Sequence, residues 1–225
     1  MNDADTKATD ECWSACYNDG DIEKVRELLD NGVDINAQAP CSGGAPLDAA
    51  IGGGHMPLVR FLVERGADVN GVGYGSYTAL MMAANQMSTE AAQFLLEHGA
   101  DPNLPSPATG ETPLHAVCAK AFGDGANDLL DVLLAAGANP NTKAKNGVAT
   151  TTYYRDIRVV GETPLHLAAA YGDHAMIKAL IDAGADPALK DDRGDSPLTW
   201  YSRHQRDVPR IALERSDVSP LLEYE

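Results

Sequence analysis

Six histidines, four cysteines and an excess of carboxylates are the groups in this 225-residue chain that could do chemistry, and their spacing tests each possibility. His115 and His166 each stand three residues after a threonine, in Thr112-Pro113-Leu114-His115 and Thr163-Pro164-Leu165-His166. His55 falls in a turn and His98 immediately precedes a glycine, and no His-x-x-x-His or comparable ligand pair exists. Cys12 and Cys16, four apart on one helix, lack the two further ligands that tetrahedral zinc requires. Cys16 and Cys118 fall where a small apolar residue belongs, and Cys41 falls in a loop with no adjacent cation to lower its pKa. The glycine-rich stretches form neither a phosphate-binding loop nor a nucleophile elbow, and carboxylates such as Asp173, Asp191 and Asp192 occupy turn positions. The sequence therefore predicts no catalytic residue, no cofactor site and no metal site.

The elements that carry these residues repeat. The Thr-Pro-Leu-His pattern has weaker copies at Ala45-Pro46-Leu47-Asp48, Thr78-Ala79-Leu80-Met81 and Ser196-Pro197-Leu198-Thr199, so the starts fall at 45, 78, 112, 163 and 196. Gly-Ala-Asp-x-Asn-like segments begin at Gly66, Gly99, Gly137 and Gly184, with a variant at Gly32. Between the two markers lies an apolar pair: Leu28-Leu29, Leu62-Val63, Leu95-Leu96, Leu133-Leu134 and Leu180-Ile181. Threonine suits a helix N-cap, and proline at the first helical position gives up only an N–H that would be unpaired anyway. The apolar pair predicts the buried face of a second helix, and the glycine its left-handed end. Asp-x-Asn then predicts a turn into the next unit.

This chain resembles the ankyrin repeat family, whose period of roughly 33 residues and T-P-L-H-x-A signature match the markers from about Glu11 to Arg215. The resemblance implies an all-α solenoid of six helix-turn-helix units, with a degenerate first unit around Glu11-Cys12-Trp13-Ser14 and an atypical last one acting as caps. It also implies that His115 and His166 are structural, bonding the backbone of neighbouring loops. Residues 1–10 read as a disordered N-terminal segment, 11–215 as the repeat domain and 216–225 as a C-terminal tail. That tail is either disordered or a short docking peptide through Leu221, Leu222 and Tyr224.

Departures from the period are informative. Four extra residues lie near Phe122-Gly123-Asp124-Gly125, and about 14 more form an insertion at about 143–160, between the fourth and fifth repeats. Asn146-Gly147 is a hairpin-turn signal, and Val148 to Val160 is rich in β-branched and aromatic residues. Lys143, Lys145, Arg155 and Arg158 against Asp156 make this finger basic in an acidic chain. It reads either as an idle extension or as a recognition element anchored by Tyr153 and Tyr154. In the second repeat Ala45 replaces the capping threonine, and Gly52-Gly53-Gly54 predicts either a loose turn or bare backbone open to a partner.

Lys and Arg total 17 against 33 Asp and Glu, a formal charge of −16, which argues against nucleic acid and against anionic membranes. No apolar run approaches the roughly 20 residues of a membrane span, and the polar, acidic start is unlike a secretory signal. A cytoplasmic setting and a chain that is monomeric on its own are expected. Ankyrin proteins typically bind other proteins on a concave surface, and the resemblance implies that role here. The residues expected to face a partner are Tyr74, Tyr77, Glu111, Lys120, Glu162, Tyr171, Arg193 and Arg203, with Tyr153, Tyr154, Arg155 and Arg158 on the finger. The expected function is a non-enzymatic interaction module for a protein with a basic surface. The rivals are a stand-alone inhibitor or immunity protein blocking a basic site, and a small-molecule-binding protein or enzyme that uses the finger as a lid.

Overall fold

The computed structural model describes residues 3–121, 125–149 and 158–207. The chain divides after Leu104 into two compact units, where the sequence suggested one repeat domain. In the first unit, α1 (Asp3–Ser14) runs into a π-turn at Ala15–Asp19 and is followed by α2 (Ile22–Asp30). The next two repeats pair α3 (Pro46–Gly52) with α4 (Met56–Glu64), and α5 (Ala79–Asn85) with α6 (Thr89–Glu97). In the second unit, α7 (Pro113–Ala119) pairs with α8 (Ala126–Ala135), α9 (Pro164–Tyr171) with α10 (His174–Asp182), and α11 (Pro197–Asp207) opens the last repeat. The fold class is all-α, with one two-stranded hairpin, β1 (Asn146–Ala149) and β2 (Arg158–Val160), as an insertion.

Each marker does local work. Gly32, Gly66, Gly99, Gly137 and Gly184 end the second helices at φ between 85° and 97°, a left-handed backbone that residues with a Cβ avoid. Of each apolar pair, the first residue (Leu28, Leu62, Leu95, Leu133, Leu180) is buried while the second is half-exposed. Consecutive residues on a helix point about 100° apart, so both cannot enter the core. Thr78 caps α5 as expected, its hydroxyl accepting from Met81 N–H at 3.1 Å.

Three expectations change. Residues 3–10 are not a disordered segment: they form the start of α1, where Thr9 is buried and its hydroxyl bonds the Asp5 carbonyl. The insertion does contain a hairpin, but Asn146-Gly147 is not its turn. Between the pairs Asn146–Val160 and Ala149–Arg158, β1 uses one more residue than β2, and Gly147 sits there at φ 79°. The left-handed glycine thus serves a bulge in the strand. The third change concerns Gly52-Gly53-Gly54, where the close approach is made by the chain itself. A Cβ on Gly53 would collide with the Tyr17 carbonyl and the His55 ring, and one on Gly52 would lie 3.2 Å from the Tyr17 ring. Phe122 to Asp124 and the 216–225 tail lie outside the described residues.

Gly53 has φ −80°, which alanine adopts without strain, and replacing glycine at such a site ordinarily stabilises through the unfolded chain. The collision predicts the reverse. Gly53→Ala should lower the unfolding free energy by about 1–3 kcal/mol in urea denaturation, and an unchanged or raised value would contradict the close packing on Tyr17.

Candidate functional site

Loop tips and first helices carry the residues expected to meet a partner, so their backbone comes first. Each turn aspartate, or asparagine, accepts the N–H two residues on: Asp34 from Asn36, Asp68 from Asn70, Asp101 from Asn103, and Asn139 from Asn141, all at 2.8–2.9 Å. The asparagine then reaches the next repeat. Asn36 Oδ1 accepts from Asp68 N–H, Asn70 from Asp101 and Asn141 from Asp186, each at 2.8 Å.

At the fourth motif position the two units differ. His115 and His166 are buried, and each Nδ1 accepts the N–H of its own Thr112 or Thr163. With Nδ1 an acceptor, Nε2 carries the proton and donates onward, to the Glu162 carbonyl at 3.2 Å and the Asp195 carbonyl at 3.1 Å. The structural role expected of both histidines holds. Burial holds His115 neutral by lowering its pKa to about 4, and lowers that of His166 too. In the first unit Asp48 stands at this position, and its Oδ2 accepts from Ala45 N–H at 2.9 Å. A carboxylate cannot donate to the next loop, and a Cβ on Gly73 would overlap it. Burial pushes the Asp48 carboxyl up to about 6.

The residues singled out from sequence separate into groups. Tyr74 is 41% exposed, on a 3₁₀ turn at Tyr74–Ser76, and Arg193 is exposed beside the Asp191 turn. Lys120, at the end of α7, and Tyr171, at the end of α9, are half-buried, and desolvation lowers the Lys120 pKa. Tyr77, Glu111 and Glu162, expected on an exposed face, are buried. The reasons are structural. Tyr77 follows the turn and packs over Gly75, while Val72 bridges to Thr78. The Glu111 carbonyl takes Ser106 N–H at 2.8 Å, and Glu162 Oε2 takes Val160 N–H at 2.7 Å. Arg158 and Arg203 lie on the described backbone of β2 and α11, whereas the side chains of both, and Tyr153, Tyr154 and Arg155 entirely, lie outside the described residues.

The finger's base is held on both sides. Ala144 N–H donates to the Glu162 carbonyl, Lys145 N–H to the Thr109 carbonyl and Asp192 N–H to the Val160 carbonyl, at 2.7–2.9 Å. Lys143 pairs with Asp192 at 3.4 Å.

Sequence reading missed Trp13 and Tyr17. Their rings stack 5.1 Å apart at 8°, and Tyr17 is 44% exposed. The signal is an aromatic pair four apart, in a first unit that lacks the repeat's motif. Cys12, Cys16 and Cys118 are buried free thiols; the hydrogen bond with Cys12, then burial, raises the Cys16 thiol, and burial raises Cys118. Cys41 is exposed, but the Asp10 carboxylate raises its pKa, which disfavours a reactive thiolate. Among the described residues no helix is long and apolar enough to cross a membrane.

Comparisons with known proteins agree with this geometry. A family model described as ankyrin repeats (three copies) matches residues 12–106 and 75–144, and an ankyrin repeat model matches 160–192. The chain is 33% identical over 172 residues to transient receptor potential cation channel subfamily A member 1 of Homo sapiens, covering 75% of this chain and 14% of that protein. It is 31% identical over 168 residues to the mitochondrial disaggregase of Bos taurus, covering 75% and 22%, and 29% identical over 187 residues to an L-asparaginase of Dirofilaria immitis, covering 83% and 28%. The chain thus spans less than a third of the length of these relatives. Among solved structures, it matches a chain of the complex of the Bdellovibrio bacteriovorus predatory endopeptidase Bd0816 with the immunity protein Bd3460. That match has a TM-score of 0.68 at 25% identity over 94% of this chain and 95% of that one. An ankyrin repeat domain from Acinetobacter baumannii AYE gives 0.71 at 24% identity over the same shares, a likeness of fold.

The pKa directions set opposite pH dependences in the two units. An acid raised from 3.8 to about 6 binds its proton more tightly in the folded state, so Asp48 weakens folding above pH 6 and is relieved as pH falls toward 4. His115, lowered from 6.5 to about 4, supports folding above pH 6.5 and loses that support as pH falls toward 4. Asp48→Asn should therefore raise the unfolding free energy by about 1–3 kcal/mol at pH 7.5 and by clearly less at pH 4.5 in urea denaturation. Equal gains at both pH values would contradict a buried charge.

Proposed function

The chain belongs to the ankyrin repeat family, whose fold is generally a non-enzymatic interaction module, and on that premise we propose that it binds a partner protein through its loop tips, first helices and inserted finger. The observation that carries this reading is the run of hydrogen-bonded loop tips presenting exposed side chains such as Tyr74 and Arg193. Preordered backbone lowers the ordering cost of binding, and tyrosine and arginine are the side chains enriched where proteins meet. The finger adds to the tips of the second unit: it is rooted on hydrogen bonds from two neighbouring loops, and Tyr153, Tyr154, Arg155 and Arg158 are its contact residues.

Charge selects the partner. A chain of net charge −16 attracts a basic surface and repels nucleic acid and anionic membranes. A reducing, cytoplasmic setting suits four free cysteines. No cofactor or catalytic residue enters this reading. One observation favours a narrower version, an inhibitor or immunity protein that blocks a basic site: the match to the endopeptidase–immunity complex extends over 95% of the matched chain.

Affinity capture from host lysate tests the reading, with wild type beside a Tyr153→Ala/Tyr154→Ala/Arg155→Ala variant. One stoichiometric protein is expected with wild type and should be depleted at least tenfold with the variant. Washing at 0.5 M salt should release most of it, because the attraction between exposed charges is screened. Retention in high salt would overturn the basic-surface version, and capture of no protein would overturn the reading itself.

A further inference from the structure

The exposed large hydrophobic side chains among the described residues, Tyr17 and Tyr74, belong to one surface. Glycine 44 shows the junction. A Cβ there would meet Trp13 Nε1 at 3.0 Å on one side and Tyr74 Cβ at 3.2 Å on the other. Trp13 stacks on Tyr17, whose ring lies over Gly52 and whose carbonyl presses on Gly53. Trp13, Tyr17 and Tyr74 therefore form an aromatic platform across the first three repeats, with bare glycine between Trp13 and Tyr74 and beside Tyr17.

Charge is segregated around this platform. The cations of residues 3–104 are Lys7, Lys24, Arg26, Arg60 and Arg65. All but Lys7 lie on second helices or their ends, and each of those is paired: Lys24 with Glu11, Arg26 with Glu23, Arg60 with Glu90 and Arg65 with Asp30. Arg60 lies over the Phe94 ring, and Arg26 and Arg65 over Phe61, so this unit already packs guanidinium on aromatic faces elsewhere. Beside the platform stands a carboxylate: Asp10 is one turn before Trp13 on α1 and holds the Cys41 N–H at 3.0 Å. Exposed tyrosine rings beside Asp10, in a unit whose arginines are engaged on the second helices, complement a cation.

We infer that Trp13, Tyr17 and Tyr74 form a docking platform for an arginine-bearing segment of the partner, its guanidinium groups laid on the rings and directed toward Asp10. Arginine fits better than lysine because its planar group stacks on an aromatic face while its N–H groups still reach carboxylates. This inference rests on the proposed interaction function and adds a place and a chemistry to it.

The test is fluorescence anisotropy with a labelled peptide of alternating Arg and Gly, beside Lys-Gly and Pro-Gly peptides of equal length, titrated with the full chain. Tyr17→Ala/Tyr74→Ala leaves the charge unchanged and alters two exposed side chains, and its thermal unfolding is followed in parallel. The Arg peptide is expected to bind more tightly than the Lys peptide. The double variant should weaken it about tenfold, and Tyr17→Phe/Tyr74→Phe should restore most of the binding. Less than a twofold loss in the folded double variant, or tighter binding of the Pro-Gly peptide, would overturn the platform. If the double variant still captures the lysate partner in full, the platform is wrong while the interaction function stands.

Discussion

An asparagine side chain shared between consecutive loops fixes where the tips stand. Its own N–H is held by the turn residue two positions before it, and its Oδ1 takes the N–H of the next repeat's turn aspartate. In the first unit the partners Asn36–Asp68 and Asn70–Asp101 lie 32 and 31 residues apart; in the second, Asn141–Asp186 spans 45 with the same 2.8 Å bond. The insertion is thus extruded from the repeat without changing the tip's register. Loops tolerate such additions because closing a longer one costs only slightly more entropy. The finger leaves and rejoins a tip that is already fixed.

The fourth motif position supplies a second tie, and its chemistry divides the chain. A neutral imidazole can accept at one nitrogen and donate at the other, so His115 and His166 join their own helix start to the following loop. Asp48 can only accept while ionised, and it serves Ala45 alone in that way. Its loop compensates: Gly73 leaves room for the carboxylate and donates to the Tyr77 carbonyl at 2.9 Å. Substituting aspartate for histidine therefore buries a charge and also requires a glycine in the next loop.

Repeats, caps and helix ends were legible in the sequence because each depends on groups a few residues apart. Left-handed glycines, Thr78 at an N-cap and the turn aspartates need no distant partner to be understood. What was not legible depends on neighbours in space. Tyr77, Glu111 and Glu162 precede a helix start just as an exposed tip residue would, yet a bridge or a loop covers each one. Asn146-Gly147 carries the signal of a turn, and a left-handed glycine satisfies a strand bulge equally well. Trp13 and Tyr17 were hidden because the first repeat lacks the motif, and the role of Gly52 and Gly53 became visible only with Tyr17 above them.

An exposed aromatic ring on such a scaffold differs from one on a free loop. Around Tyr74, Gly73 N–H is bonded to Tyr77, Ser76 N–H to Gly73, and Val72 bridges to Thr78, so the backbone under the ring is closed before anything arrives. Tyr17 is set by its stack on Trp13 and by the glycines beneath it. Covering these rings would then restrict two χ angles each, and no backbone would have to be ordered. The same packing that makes Gly53 intolerant of a side chain keeps the platform in place, so stability and recognition in the first unit depend on one set of contacts. A loosened Tyr17 would weaken both together, whereas truncating the exposed Tyr74 ring would bear mainly on what the surface can hold.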